Sequence, residues 1–177
     1  MVYFFILAGI ILRLIPHIPN FAPIAALALF GGVYLGKKYA LIIPLATMFI
    51  SDIFIGFYNH WIMIGVYGSF LIIGFLGIYL KKHKTIINII SVSLVSSVLF
   101  FVITNFAMWA IPSSLYPHTW QGLLQCYIMG LPFFRNTLAG DLFYVGAMFS
   151  LYELVLYITK KYPLRKEGYE RIPRKRI

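Results

Sequence analysis

The sequence predicts an all-α integral membrane protein, a bundle of six spanning helices with both termini in the cytoplasm. Three observations carry this. First, Ala, Val, Ile, Leu, Met, Phe, Trp, Tyr and Cys make up 61% of the 177 residues, only 11% are charged, and mean hydropathy is +0.86. A soluble domain of this size leaves much of its surface in water and could not hide so much apolar area. Second, no Asp, Glu, Lys or Arg occurs between Arg13 and Lys37, between Asp52 and Lys81, or between Lys84 and Arg135. Third, runs such as Leu71-Ile72-Ile73-Gly74-Phe75-Leu76 show none of the polar alternation of a membrane barrel strand, so helices must satisfy the backbone. Disorder is excluded by the hydrophobicity and a disulfide scaffold by the single Cys.

A membrane-crossing helix needs ~20 apolar residues. The spans read as Met1–Ile15, Phe21–Gly36, Tyr39–Phe57, Trp61–Leu80, Ile86–Ile111 and Thr137–Thr159. The first two are short, and Pro16, Pro19 and Pro23 predict a broken entry between them. The first run has neither a basic leader nor a small-residue cleavage site, so it is expected to stay in the mature chain. Thr119–Phe134 is apolar but ends in Pro132 and Arg135. It predicts a re-entrant or half-helical segment between spans five and six.

The basic residues test the count. Lys37 and Lys38 follow span two, Lys81, Lys82 and Lys84 follow span four, and Lys160, Lys161 and the tail follow span six. Thirteen of the 15 Lys and Arg therefore fall on one side, the cytoplasmic one by the positive-inside rule. This divides the chain into a transmembrane domain, 1–161, and a basic cytoplasmic tail, 162–177. The tail is read as a topology anchor touching anionic lipid, not as a nucleic-acid contact. The bilayer is the first partner, and the place is the cell (inner) membrane, multi-pass.

The opposite, outward half collects the unusual residues. Arg13 lies near the end of span one, with His17 and Asn20 in the linker after it. Asp52 lies one turn before the end of span three. Asn105 and Trp109 share a face of span five, His118 sits in the long loop, and Arg135, Asn136 and Asp141 open span six. Ionisable groups in a bilayer are costly, and are paired or functional. Two Arg and two Asp allow two readings. Either Arg13 takes one Asp and Arg135 the other as pins between helices, or some of the set lines an outward-open pocket for a polar ligand. Trp61 and Trp120 fit an interfacial aromatic belt. Cys126 reads as a small buried apolar residue. Glu153 lies toward the inner part of span six, where it pairs with a cytoplasmic base or serves a proton path.

His17, His60 and His118 lack the spacing of a metal site, and no metal or cofactor is expected. Nucleophile-elbow, zinc-protease and phosphate-loop motifs are absent. The chain is not expected to be an enzyme. An intramembrane enzyme with Asp52 and Asp141 as paired carboxylates is the weakest alternative. Small residues, Ala22, Ala25, Ala26, Ala28, Gly31, Gly32 and Gly36, then Gly65, Gly68 and Gly74, allow close helix approach in a compact bundle or on a docking face.

The run Asn20-Phe21-Ala22-Pro23-Ile24-Ala25-Ala26-Leu27-Ala28-Leu29-Phe30-Gly31-Gly32, then Leu35-Gly36 and Ser51-Asp52-Ile53-Phe54-Ile55-Gly56, resembles the N-terminal half of the membrane-embedded substrate-binding (S) subunits of energy-coupling factor (ECF) vitamin transporters. Length and plan are most similar to a family of small uncharacterised six-helix bacterial membrane proteins. The resemblance implies capture of a vitamin-like nutrient at the outer face. It also implies docking onto a transmembrane coupling subunit served by two ATPases. Matching positions are the linker Pro16–Asn20, the loop Tyr58–His60 and the segment Pro112–Asn136. Span one carries Ala8 and Leu12 where the family often has Ala-x-x-x-Ala, which leaves a solitary transporter open. The expected function is nutrient binding for uptake, with a structural or assembly subunit of a membrane complex as the alternative.

Overall fold

The computed structural model describes residues 2–112 and 114–161. The basic tail 162–177 lies outside the described residues. Among the described residues six α-helices follow one another: α1 Val2–Leu14, α2 Ile24–Phe30, α3 Lys37–Ile55, α4 His60–Leu80, α5 Ile86–Ala110 and α6 Trp120–Lys161. A π-helical turn, Gly31–Leu35, continues α2. There is no strand among the described residues. The helices α3, α4, α5 and α6 are long and apolar enough to cross a membrane, whereas α1 and α2 with its π-turn are shorter apolar helices.

The shortest helix forms the core. Every residue of α2 is buried, and Ala26, Ala28 and Leu29 are fully enclosed. The Ala-rich sequence explains this, because small side chains let α3, α4 and α6 close around α2. At Gly32 a Cβ would stand 2.4 Å from the backbone carbon of Gly77 on α4. Gly77 in turn faces the Ala28 carbonyl, where a Cβ would lie 2.9 Å away. The glycines therefore serve backbone contact inside the bundle.

The linker between α1 and α2 turns at Ile18-Pro19-Asn20-Phe21, closed by the Phe21 amide donating to the Ile18 carbonyl at 3.0 Å. Pro19 presets the first central φ, and Asn20 accepts the left-handed conformation at φ 64°. The Asn136 amide on α6 donates to the Pro19 carbonyl at 3.1 Å and ties the turn to the bundle.

One expectation is corrected. Trp120–Lys161 is a single helix of 42 residues with Pro132 inside it, not a re-entrant segment followed by a span. At 1.5 Å per residue it extends ~63 Å, about twice the hydrocarbon thickness. Pro132 has no N–H for the Ile128 carbonyl, a defect worth about 3 kcal/mol in an isolated helix. Here both flanks of the proline are held on the same stretch of α5. Tyr127 donates to the Val102 carbonyl at 2.9 Å, Cys126 to the Asn105 carbonyl at 3.4 Å, and Phe134 packs on Phe101 with ring centroids 4.8 Å apart. That packing outweighs one missing bond.

The inward-facing stripe of α5 consists of serines. Ser93, Ser96 and Ser97 are its buried residues, and Ser96 and Ser97 return their hydroxyls to the carbonyls four residues back. At the start of α5, Lys84 and Glu153 form an ion pair at 2.6 Å. Tyr34 donates to the same Glu153 oxygen at 2.6 Å. Glu153 thus has the basic partner that the sequence allowed.

Candidate functional site

The charged residues divide into a closed cluster and an open one. The closed cluster joins α1, α3 and α4. Arg13, in the last turn of α1, lies where a cation meets the negative end of the helix dipole. Its guanidinium reaches Asp52 of α3 at 2.7 Å and donates to the Met48 carbonyl at 3.2 Å and to the Ser51 hydroxyl. Tyr67 of α4 donates to the second Asp52 oxygen at 2.7 Å. Asp52 has no exposed surface, while the Arg13 side chain keeps 15%. A buried carboxylate with an ion-pair partner and a hydroxyl donor is a fastening between helices, in keeping with one of the two readings of the Arg/Asp set.

The open cluster surrounds a cavity of about 350 Å³ among the helices. Arg13, His17, Asn20 and Asp141 line it, with Tyr58, Phe70 and Phe100 among the walls. Asp141 is 4% exposed. Its one hydrogen bond to a described residue comes from Ser97 of α5, at 2.7 Å. No described cation pairs with it. Tyr58, between α3 and α4, has its hydroxyl pushed up to about 12 by burial and then by the nearby Asp52 charge, with Arg13 opposing. It stays a neutral hydrogen-bonding group at the cavity wall.

A smaller pocket of about 130 Å³ shares Asn20, Phe100 and Thr137 with this cavity and adds Asn105. Asn105 also donates to the Phe101 carbonyl at 2.8 Å.

The ten residues singled out in the sequence therefore separate. Arg13, His17, Asn20 and Asp141 meet at the cavity, and Asn105 lies in the adjoining pocket. Asp52 stands behind the wall, joined to it through Arg13. Asn136 holds the Pro19 turn. Trp109 and His118 are taken up elsewhere. Trp109 donates to the Pro117 carbonyl at 2.9 Å, and His118 lies edge-on to its ring with a nitrogen 3.1 Å from the Ile111 carbonyl. They knit the loop after α5 to its own helix end. Arg135 is exposed and forms no ion pair with a described residue, so the second expected pair, Arg135 with Asp141, is not made.

Tyr67 and Ser97 were missed. The signal for Ser97 was present, since Ser93, Ser96 and Ser97 recur at helical spacing in an otherwise apolar span, the pattern of an inward face. Tyr67 is one of 13 tyrosines, and nothing local distinguishes it.

The fold and site together define a helical membrane-protein bundle with a small cavity, in whose wall Asp141 has no cation partner among the described residues. The chain belongs to DUF6580, a family of unknown function, whose model matches residues 1–165. Neither a curated protein nor a solved structure matches it.

Proposed function

We propose that this chain is a transport protein of the cell (inner) membrane that captures a small, vitamin-like nutrient from outside. It acts as the substrate-binding subunit of an uptake system of the energy-coupling factor type. The observation that carries the reading is the cavity of about 350 Å³ with Asp141 in its wall. Ligand sites are typically ~300–1,000 Å³, mostly apolar, with a few convergent polar groups. The basic loops support cytoplasmic termini, and the glycine and alanine surfaces support docking onto a coupling subunit that brings the ATPases.

An assembly subunit would have its intramembrane charges paired and its interior filled, whereas here Arg13 and Asp52 pair, Arg135 and Asp141 do not, and a cavity remains. A paired-carboxylate enzyme finds no support either. Asp52 is locked to Arg13 and Tyr67 outside the cavity wall that holds Asp141.

Native mass spectrometry of the full chain, purified in mild detergent from the membranes that produce it, tests the proposal. A retained small molecule, together with reduced uptake of that molecule on deletion, is the expected result. A bare protein and unchanged nutrient uptake overturn it.

A further inference from the structure

One ionisable group that faces the cavity has no partner of opposite charge among the described residues. Arg13 reaches the cavity, but that guanidinium is already matched by Asp52 at 2.7 Å. His17 hydrogen-bonds the neighbouring Ile18 carbonyl at 2.9 Å and lies on the exposed linker. Asp141 is the remaining charged wall residue. It is more than nine-tenths buried and has one neutral donor, Ser97, and no cation among the described residues. An ionised carboxylate in the interior of a bundle is costly until a proton or an opposite charge meets it. The same cavity carries Phe70 and Phe100, whose ring centroids are 5.2 Å apart. Aromatic faces attract cations within ~6 Å of the ring. At about 350 Å³ the space far exceeds an inorganic ion, and the described residues hold no group of three or more His, Cys, Asp or Glu that could bind a metal.

We infer that the cavity takes a small organic monocation, an amine or quaternary nitrogen carried on an apolar body, with Asp141 as its counter-ion and Phe70 and Phe100 against its body. This rests on the reading of the cavity as a substrate site and narrows the substrate class. The Arg13–Asp52 pair supplies a fixed, internally neutral wall, so the charge preference comes from Asp141.

The test uses four water-soluble probes that share a benzyl group: benzyltrimethylammonium, N-benzylacetamide, phenylacetate and phenylalanine. Each is incubated at equal concentration with the detergent-solubilised full chain, and adducts are read by native mass spectrometry. The expected result is preferential retention of benzyltrimethylammonium, with occupancy lowered at least ~10-fold in Asp141→Asn, as loss of a desolvated charge partner demands. The contrast between probes is read on the unsubstituted chain, so it stands even if the variant folds poorly. Preferential retention of the neutral, anionic or zwitterionic probe overturns the cationic class and leaves a binding cavity in place. Retention of none overturns the inference, and the transport reading is then judged on the molecule carried by the protein as purified.

Discussion

Asp52 on α3 and Arg13 on α1 stand 2.7 Å apart, and the carboxylate has no exposed surface. Removing one member of a buried pair leaves the other charge stranded, at a cost of about 3–5 kcal/mol. Arg13→Met or Asp52→Leu alone should therefore lower the midpoint of denaturant unfolding in detergent sharply. The double substitution should recover most of the loss, and a double variant no better than the worse single one would show that the pair is not the fastening described. Lys84 and Glu153 are the contrasting case, with side chains 39% and 49% exposed, and their removal should cost under ~1 kcal/mol.

Where the π-turn after α2 crosses α4 there is no room for a side chain at Gly32, where a Cβ would meet the Gly77 backbone at 2.4 Å. Gly32→Val should destabilise by at least ~1–3 kcal/mol, the usual range for overpacking, because backbone rather than a flexible side chain must move. Gly68→Ala provides the comparison. Nothing lies within 4 Å of its added Cβ, and in a helix the change should be neutral or stabilise by up to ~1 kcal/mol. Thermal unfolding of both variants in one detergent checks the pair of expectations.

Thr47 is fully buried and its hydroxyl has no hydrogen-bond partner among the described residues. An isosteric Val removes an unsatisfied polar atom and keeps the shape. Thr47→Val should hold or raise stability, by up to ~1–3 kcal/mol, in the same unfolding measurement. A clear loss would mean that the hydroxyl is satisfied in the membrane.

Ala22 lies on the cavity wall beside Asn20. Ala22→Phe should fill part of the space and abolish retention of a bound small molecule in native mass spectrometry, while the detergent-solubilised protein still elutes as a folded species. Retention at the unsubstituted level would place binding elsewhere.

Much of this arrangement is legible in the residue order. The apolar runs located α3, α4 and α5 to within about two residues at their ends, because lipid-spanning helices leave no alternative for the backbone. The Asn20-to-Gly36 run announced close packing through its small residues. Pro132 misled because a proline's effect depends on what holds its flanks, here Tyr127 and Phe134 on one segment of α5, and such tertiary support has no local signature. The site was half readable. Rare charges in apolar sequence drew attention to Arg13, Asp52 and Asp141, but which Arg meets which Asp is a question of helix neighbours. Arg135 fell on an exposed face and Asp141 on a buried one. Trp109 and His118 were drawn off by the loop they stitch, a role that composition cannot separate from ligand contact.

The enclosure of α2 also bears on how the protein is made. A helix of seven residues with a π-turn behind it is too short to hold a place in lipid by itself. Its neighbours include α6, which emerges from the ribosome roughly a hundred residues later. The most deeply buried piece of the molecule is therefore among the last to reach its final surroundings. Biogenesis must shelter it in the interval, and a chain truncated before α6 leaves it with one side bare.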